Sequence, residues 1–226
     1  MHEYRSTTIQ GAVHKALAYP RLAVKKLTKS SEKFDFAAQM RAGSVLFVGE
    51  GNFSFALSMA RLPHVTASSL MATVFEAEKD LTDLAYENTQ KLLKLGVNVQ
   101  TDVDATRLSE SLGNRRFQTL MFQFPNVASR DPCYGQNPNH VLVTRFLKNC
   151  RNHLLPGGLV AITTVDSPFY EGAFKMEQAA QKTGFTTPEI YDFSPNDHPE
   201  YTHQNTANEE TAIHGHTAFA TFVFST

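Results

Sequence analysis

Val45-Leu46-Phe47-Val48-Gly49-Glu50-Gly51-Asn52-Phe53-Ser54-Phe55 is the stretch that settles the fold class. Four apolar residues closed by a glycine read as a short strand buried on both faces, the kind found in parallel sheets. Two glycines then let the chain turn tightly and a ligand approach the backbone, and a helix starting there offers free amides to an anion. Phe53 and Phe55 stand where a dinucleotide fingerprint needs small residues, and no Gly-Lys-Ser/Thr follows, so neither a pyrophosphate nor a triphosphate loop is present.

Downstream, strand and helix patterns alternate. A helix over Phe55–Arg61 leads to a strand at Ala72–Phe75, a long helix over Asp80–Leu95 and a strand at Val97–Val103. Next come a short helix at Leu108–Leu112, a strand at Thr119–Phe124, an amphipathic helix at His140–Leu154, a Pro156-Gly157-Gly158 turn and a strand at Leu159–Val165. A helix over Glu171–Lys182 and strands at Glu189–Phe193 and Thr217–Phe224 finish the chain. This order predicts an α/β fold with a doubly wound, mainly parallel seven-stranded sheet and a final antiparallel strand.

Upstream, residues 1–42 carry eight Lys/Arg against three Asp/Glu, a charge of +5 in a chain of net −1, leaving −6 for the rest. Helices at Ile9–Ala18 and Pro20–Leu27 divide at Tyr19-Pro20. The division expected is a basic helical N-terminal extension, 1–42, before one Rossmann-like domain, 43–226. The arm is assigned to acceptor or partner contact more than to the sheet core. Apolar runs stay far below the roughly 18–20 residues of a membrane helix, the start lacks a signal-peptide pattern, and Cys133 and Cys150 have no metal or disulfide spacing. The expectation is a cytoplasmic protein with no membrane contact; oligomeric state is left open. His198, His203, His214 and His216 lack the i, i+4 spacing of a zinc helix, so no metal is expected.

In an open parallel sheet, ligands bind at the carboxyl ends of the strands beside the point where strand order reverses. Those ends present Gly49, Glu50, Gly51, Asn52, Phe53 and Ser54, then Glu76 about 25 residues on, then Asp104-Ala105-Thr106. An acid after the second strand is placed to accept from a ribose diol, and one after the third to accept from an exocyclic amine, together describing an adenosine-containing ligand. The fourth strand ends in Phe122-Gln123-Phe124-Pro125-Asn126, an amide-aromatic-proline turn that resembles the Asn/Asp-Pro-Pro-aromatic turn of methyltransferases acting on planar nitrogen, a resemblance that implies a planar acceptor held there.

Val48-Gly49-Glu50-Gly51-Asn52-Phe53-Ser54-Phe55, Val103-Asp104-Ala105-Thr106, Phe122-Gln123-Phe124-Pro125-Asn126 and Tyr201-Thr202-His203 together resemble the Rossmann-like domain of the ribosomal-RNA uridine-N3 methyltransferase family, from about Ser44 to the C-terminus. The resemblance implies a class I methyltransferase fold and S-adenosylmethionine as cofactor. Its methionine end would lie at Gly49, Glu50, Gly51, Asn52, Phe53 and Ser54, its ribose at Glu76 and its adenine at Asp104 and Ala105, with Gln123 adjoining. An imide nitrogen such as uracil N3 must lose a proton to be methylated. Asp166, directly after the fifth strand, is the first choice for that base, with Tyr170, Tyr201 and His203 as others and Gln123 and Asn126 orienting the acceptor.

Several positions depart from the family pattern: Gln123, Asn126, Val165 in place of a lysine, and Glu200. With no Lys or Arg among the acceptor-side residues and an acidic body, a nucleobase or similar small planar heterocycle is the preferred acceptor, and RNA the alternative. A second alternative is a non-catalytic S-adenosylmethionine-binding module.

Overall fold

The computed structural model describes residues 29–127, 129, 131–203 and 215–226; the helices expected at Ile9–Ala18 and Pro20–Leu27 lie outside them. The strands are β1 Val45–Val48, β2 Leu70–Thr73, β3 Asn98–Gln100, β4 Phe117–Gln123, β5 Leu154–Val165, β6 Glu189–Phe193 and β7 Phe219–Ser225. The helices are α1 Phe36–Ala42, α2 Ser54–Ala60, α3 Asp83–Leu95, α4 Leu108–Leu112, α5 Pro138–His153, α6 Pro168–Phe174 and α7 Met176–Thr183. One seven-stranded sheet has the order β3-β2-β1-β4-β5-β7-β6, parallel except for β7, which runs antiparallel to both neighbours. Strand order reverses between β1 and β4, where Val45 is in register with Leu70 on one side and Thr119 on the other.

Side-chain alternation along β1 divides the core into two layers. Val45 and Phe47 join Phe36, Met40, Phe55 and Leu92 under α1, α2 and α3. Leu46 and Val48 join Phe122, Phe146, Leu147 and Phe174 under the helices of the other face. Helix α1 is held from below by this first layer: Phe36 and Met40 are buried, and the Phe36 ring meets Phe55 and Phe193 edge-on at centroid distances of 5.3 and 5.8 Å. The segment before the first strand therefore contributes to the core at its described end.

Boundaries moved where local chemistry intervened. Thr82 caps α3 through its hydroxyl, accepting from the Ala85 amide, so the helix starts at Asp83 rather than Asp80. The single helix expected over Glu171–Lys182 is two, parted at Lys175, which has a left-handed φ of 48°. Strand β5 begins five residues early, because the Pro156-Gly157-Gly158 segment forms a bulge between the Phe117–Leu154 and Thr119–Leu159 pairs.

Candidate active site

The turn after β1 is built on a close approach. Gly49 sits at φ +65°, and a Cβ there would lie 2.4 Å from Cε2 of Phe122, so only glycine allows the turn to close over β4. Glu50 is buried, its Oε2 accepting from the Ala56 amide in the first turn of α2 at 3.0 Å. Burial raises its carboxyl to about 7 against the lowering effect of that bond. Asn52 caps the Ser54 amide (3.1 Å) while its own carbonyl accepts from Asn88 (2.9 Å). Asn52 Nδ2 donates to the Thr202 carbonyl at 2.9 Å, Ser54 Oγ donates to the same oxygen at 2.9 Å and accepts from the Thr202 amide at 3.0 Å. Two of the expected cofactor-binding side chains thus clasp the segment 201–203 onto the turn.

Glu76 and Asp104 come together at the same edge of the sheet. The Asp102 amide donates to the Glu76 carbonyl and the Val103 amide to Val74, at 2.9 and 3.0 Å, so the chain after β3 is laced to the chain after β2. The Asp104 carboxylate accepts from the Thr106 amide (2.7 Å) and hydroxyl (2.8 Å) and from Arg107 Nε (3.0 Å). Partial burial would raise its carboxyl, but these bonds outweigh it and hold it below its ordinary value. Ala105 follows, buried.

At the end of β4, Gln123 is buried and neither its Oε1 nor its Nε2 has a hydrogen-bond partner among the described residues. Such an amide costs about 1–3 kcal/mol unless something else meets it. Phe124 follows at φ +50°, and Phe53 and Asp102 also hold positive φ. Phe124 and Asp102 stand one and two residues past β4 and β3, and Phe53 stands at the start of α2, so backbone strain is stored around these strand ends.

Phe124, Asn126, Tyr170 and His203 line one cavity of about 20 Å³. That volume takes roughly one water molecule. His203 stacks edge-on against Phe124 at 4.9 Å and its Nδ1 lies 3.1 Å from the Tyr201 hydroxyl; its Nε2 is buried with no partner among the described residues. Burial pushes this imidazole down to about 4, and pushes the Tyr201 phenol well up, helped by the Glu50 carboxylate nearby. Both side chains are neutral at pH 7.

Asp166 sits apart from that cavity, in an adjoining cleft of about 910 Å³ which shares Thr164, Val165, Tyr170 and Phe174 with it. Lys29 crosses there, its Nζ 2.7 Å from Asp166 and 2.5 Å from Asp192. Burial pulls the Lys29 ammonium down, yet its hydrogen bonds to the two carboxylates prevail and hold it above its ordinary value. The structure thus brings Asn126, Tyr170, Tyr201 and His203 together, sets Gln123 beside them at the end of β4, and places Asp166 one cleft further out. Phe124 lines the cavity as the aromatic of the turn after the fourth strand, while Lys29 and Thr202 also belong to this arrangement and carry no site role in the sequence analysis. Thr202 was flanked by two named candidates, but nothing in the sequence tied Lys29 to β5. His198 packs among Phe36, Phe55 and Phe193 rather than with His203, His214 lies outside the described residues, and among those residues no three metal-ligating side chains gather.

A family model described as BMT5-like, rRNA (uridine-N3-)-methyltransferase BTM5-like, matches residues 46–205. The human ferredoxin-fold anticodon-binding domain-containing protein 1 is 30% identical over 164 residues, covering 66% of this chain and 26% of that protein. Its mouse homolog is 36% identical over 125 residues, covering 53% and 19%. The chain therefore spans about a quarter or less of the length of these relatives. Among solved structures, TrmN from Thermus thermophilus superposes with a TM-score of 0.52 at 16% identity over 83% of this chain and 45% of its own. A methyltransferase from Pyrococcus furiosus does so with 0.51 at 16% identity over 80% and 74%. These two likenesses speak for the fold, a class I Rossmann-like methyltransferase sheet.

The family match corrects the preference for a free heterocycle as acceptor, since the family matched is one of RNA methyltransferases. That preference counted cations by position in the chain. Lys29, from the segment before β1, lines the cleft beside Asp166, so the cleft is not without a cation.

Proposed function

The chain belongs to the BMT5-like rRNA (uridine-N3-)-methyltransferase family, and on that premise we propose that it transfers a methyl group from S-adenosylmethionine to N3 of a uridine in RNA. The observation that carries the cofactor assignment is Gln123, a buried amide with both polar atoms unmet, at the end of β4 and next in sequence to Phe122, whose ring closes the Gly49 turn. A ligand rich in donors and acceptors is what such a group lacks. The turn Gly49–Ser54 holds the methionine end, Glu76 accepts from the ribose, and Asp104 with Ala105 borders the adenine, the Asp104 carboxylate stiffening that loop through Thr106 and Arg107. Asn52 and Ser54 act by holding Thr202, which closes the site against water.

When bound, the cofactor supplies an electrophilic methyl carbon for in-line displacement, so the protein's work is alignment and deprotonation of the acceptor nitrogen. The uridine enters by the cleft at Lys29, Asp166 and Tyr170, which adjoins the small cavity lined by Asn126 and His203. Asn126, itself held by Asn139, orients the imide. His203 is placed better than Asp166 to take the N3 proton. Asp166 is engaged by Lys29 in the adjoining cleft, whereas His203 lines the small cavity itself and its Nε2 has no partner among the described residues. With Nδ1–H donating to the Tyr201 oxygen, Nε2 is the proton acceptor.

Gln123→Leu tests this reading. Replacing an unmet buried amide by an apolar group of similar shape is neutral or stabilising for the fold. The variant should therefore unfold at the same temperature or higher while binding S-adenosylmethionine about ten-fold or more weakly, the scale of one hydrogen bond to a charged ligand. Unchanged affinity and unchanged methyl transfer to RNA would overturn it.

A further inference from the structure

The exposed face of α5 borders the site described above at Asp104 and runs away from it. Arg145, Lys148, Asn149 and Asn152 fall at i, i+3, i+4 and i+7, one stripe along the helix. With Asp104 and Arg107 they line a groove of about 610 Å³. Arg107 is paired with Asp104 and Glu110, but neither Arg145 nor Lys148 is paired with a carboxylate among the described residues. The opposite face of the helix, with Val143, Phe146, Leu147 and Cys150, is buried in the core.

Arg145, which lines the groove, also meets an aromatic ring. Cys133 and Gln136 exchange two backbone hydrogen bonds, 2.9 and 3.0 Å, around Tyr134 and Gly135, whose φ values are 52° and 69°. This is the geometry of a two-residue hairpin tip with positive φ at both central positions, one that disfavours a tyrosine. Tyr134 is nonetheless there, 78% exposed, with the Arg145 guanidinium 5.2 Å from its ring centroid. A strained turn that lifts an aromatic into solvent beside a cation makes a stacking platform flanked by charge, the combination that takes bases and phosphates of single-stranded nucleic acid.

The same helix reaches the acceptor loop. In its first turn Asn139 accepts from the Val127 amide at 2.7 Å and contacts Asn126 at 3.4 Å. At 1.5 Å per residue, Arg145 and Lys148 stand about 9 and 14 Å further along the axis. We infer that the groove formed by Arg107, Arg145 and Lys148 with the Tyr134 tip binds the single-stranded RNA segment adjoining the target uridine, a base lying on Tyr134 and phosphates meeting Arg145 and Lys148. This rests on the proposed RNA acceptor and adds where the strand runs.

The full chain, Arg145→Glu/Lys148→Glu and Tyr134→Ala are titrated with a uridine-containing single-stranded oligoribonucleotide by fluorescence anisotropy across a salt series. S-adenosylhomocysteine binding to each is measured by calorimetry. The charge-reversed variant should keep its affinity for S-adenosylhomocysteine and show a salt slope shallower by about 0.7 for each lost phosphate contact. Tyr134→Ala should bind RNA roughly five- to hundred-fold more weakly, the range of one base stacked on an aromatic. RNA binding by both variants equal to that of the unaltered chain would overturn the groove and leave the RNA acceptor standing. Failure of the unaltered chain to bind RNA, or binding of an acidic peptide through the same residues instead, would overturn both.

Discussion

Glu50 and His203 are buried titrating groups at the site, shifted in opposite directions. Glu50 stands at about 7 against an ordinary 4.5, so its burial costs nothing while it is protonated in both states below about pH 4.5, and destabilises the fold progressively up to about pH 7. His203 stands at about 4 against an ordinary 6.5, so its site contributes fully above pH 6.5 and is lost as pH falls toward 4. Each shift corresponds to about 3 kcal/mol and the windows overlap, so in the unaltered protein the two nearly cancel. Single variants should expose each slope. Relative to the unaltered protein, urea unfolding free energies of Glu50→Gln should rise by about 3 kcal/mol between pH 4.5 and 7, and those of His203→Gln should fall by a similar amount between pH 4 and 6.5. Differences that stay flat across those windows would show that neither group is desolvated as described. The identities of these residues were legible from their place after a strand or in a late polar loop. Their electrostatic states were not, because desolvation depends on neighbours that the fold brings in from elsewhere, such as Phe124 against His203 and Tyr201 near Glu50.

Strand and helix order could be read because buried parallel strands and capped helices leave local marks. β1, α4 and β6 lie within the limits read from the sequence, and Gly49 marks the turn on which the site depends. Signals failed where pairing or capping decided a boundary, as at Thr82, at Lys175 and in the β5 bulge. They failed also for α1, whose seven residues include only two large apolar side chains, Phe36 and Met40, and lie in a basic segment that was assigned to acceptor or partner contact. Its role is set by Phe36 beneath Phe34, Phe55 and Phe193. Phe36→Ala should therefore cost about 3–5 kcal/mol, as a large aromatic removed from a packed core does. A loss below about 1 kcal/mol in urea unfolding would mean that α1 lies on the surface of the domain and not in it.

Charge across the molecule is distributed by folding and not by chain position. The body is acidic overall, yet Lys29 arrives at the end of β5 from the segment before β1, and Arg145 and Lys148 stand together on one helix face. A count along the sequence favoured a neutral free heterocycle; family membership and these placements favour a strand of RNA. The most direct test supplies isotope-labelled S-adenosylmethionine with unmodified ribosomal RNA or with free uridine, digests the RNA to nucleosides and identifies the labelled product by mass spectrometry. N3-methyluridine from the RNA, at a rate that falls steeply with added salt and with no product from free uridine, is the predicted result. Label appearing in free uridine but not in RNA, or in RNA at a position other than uridine N3, would contradict it.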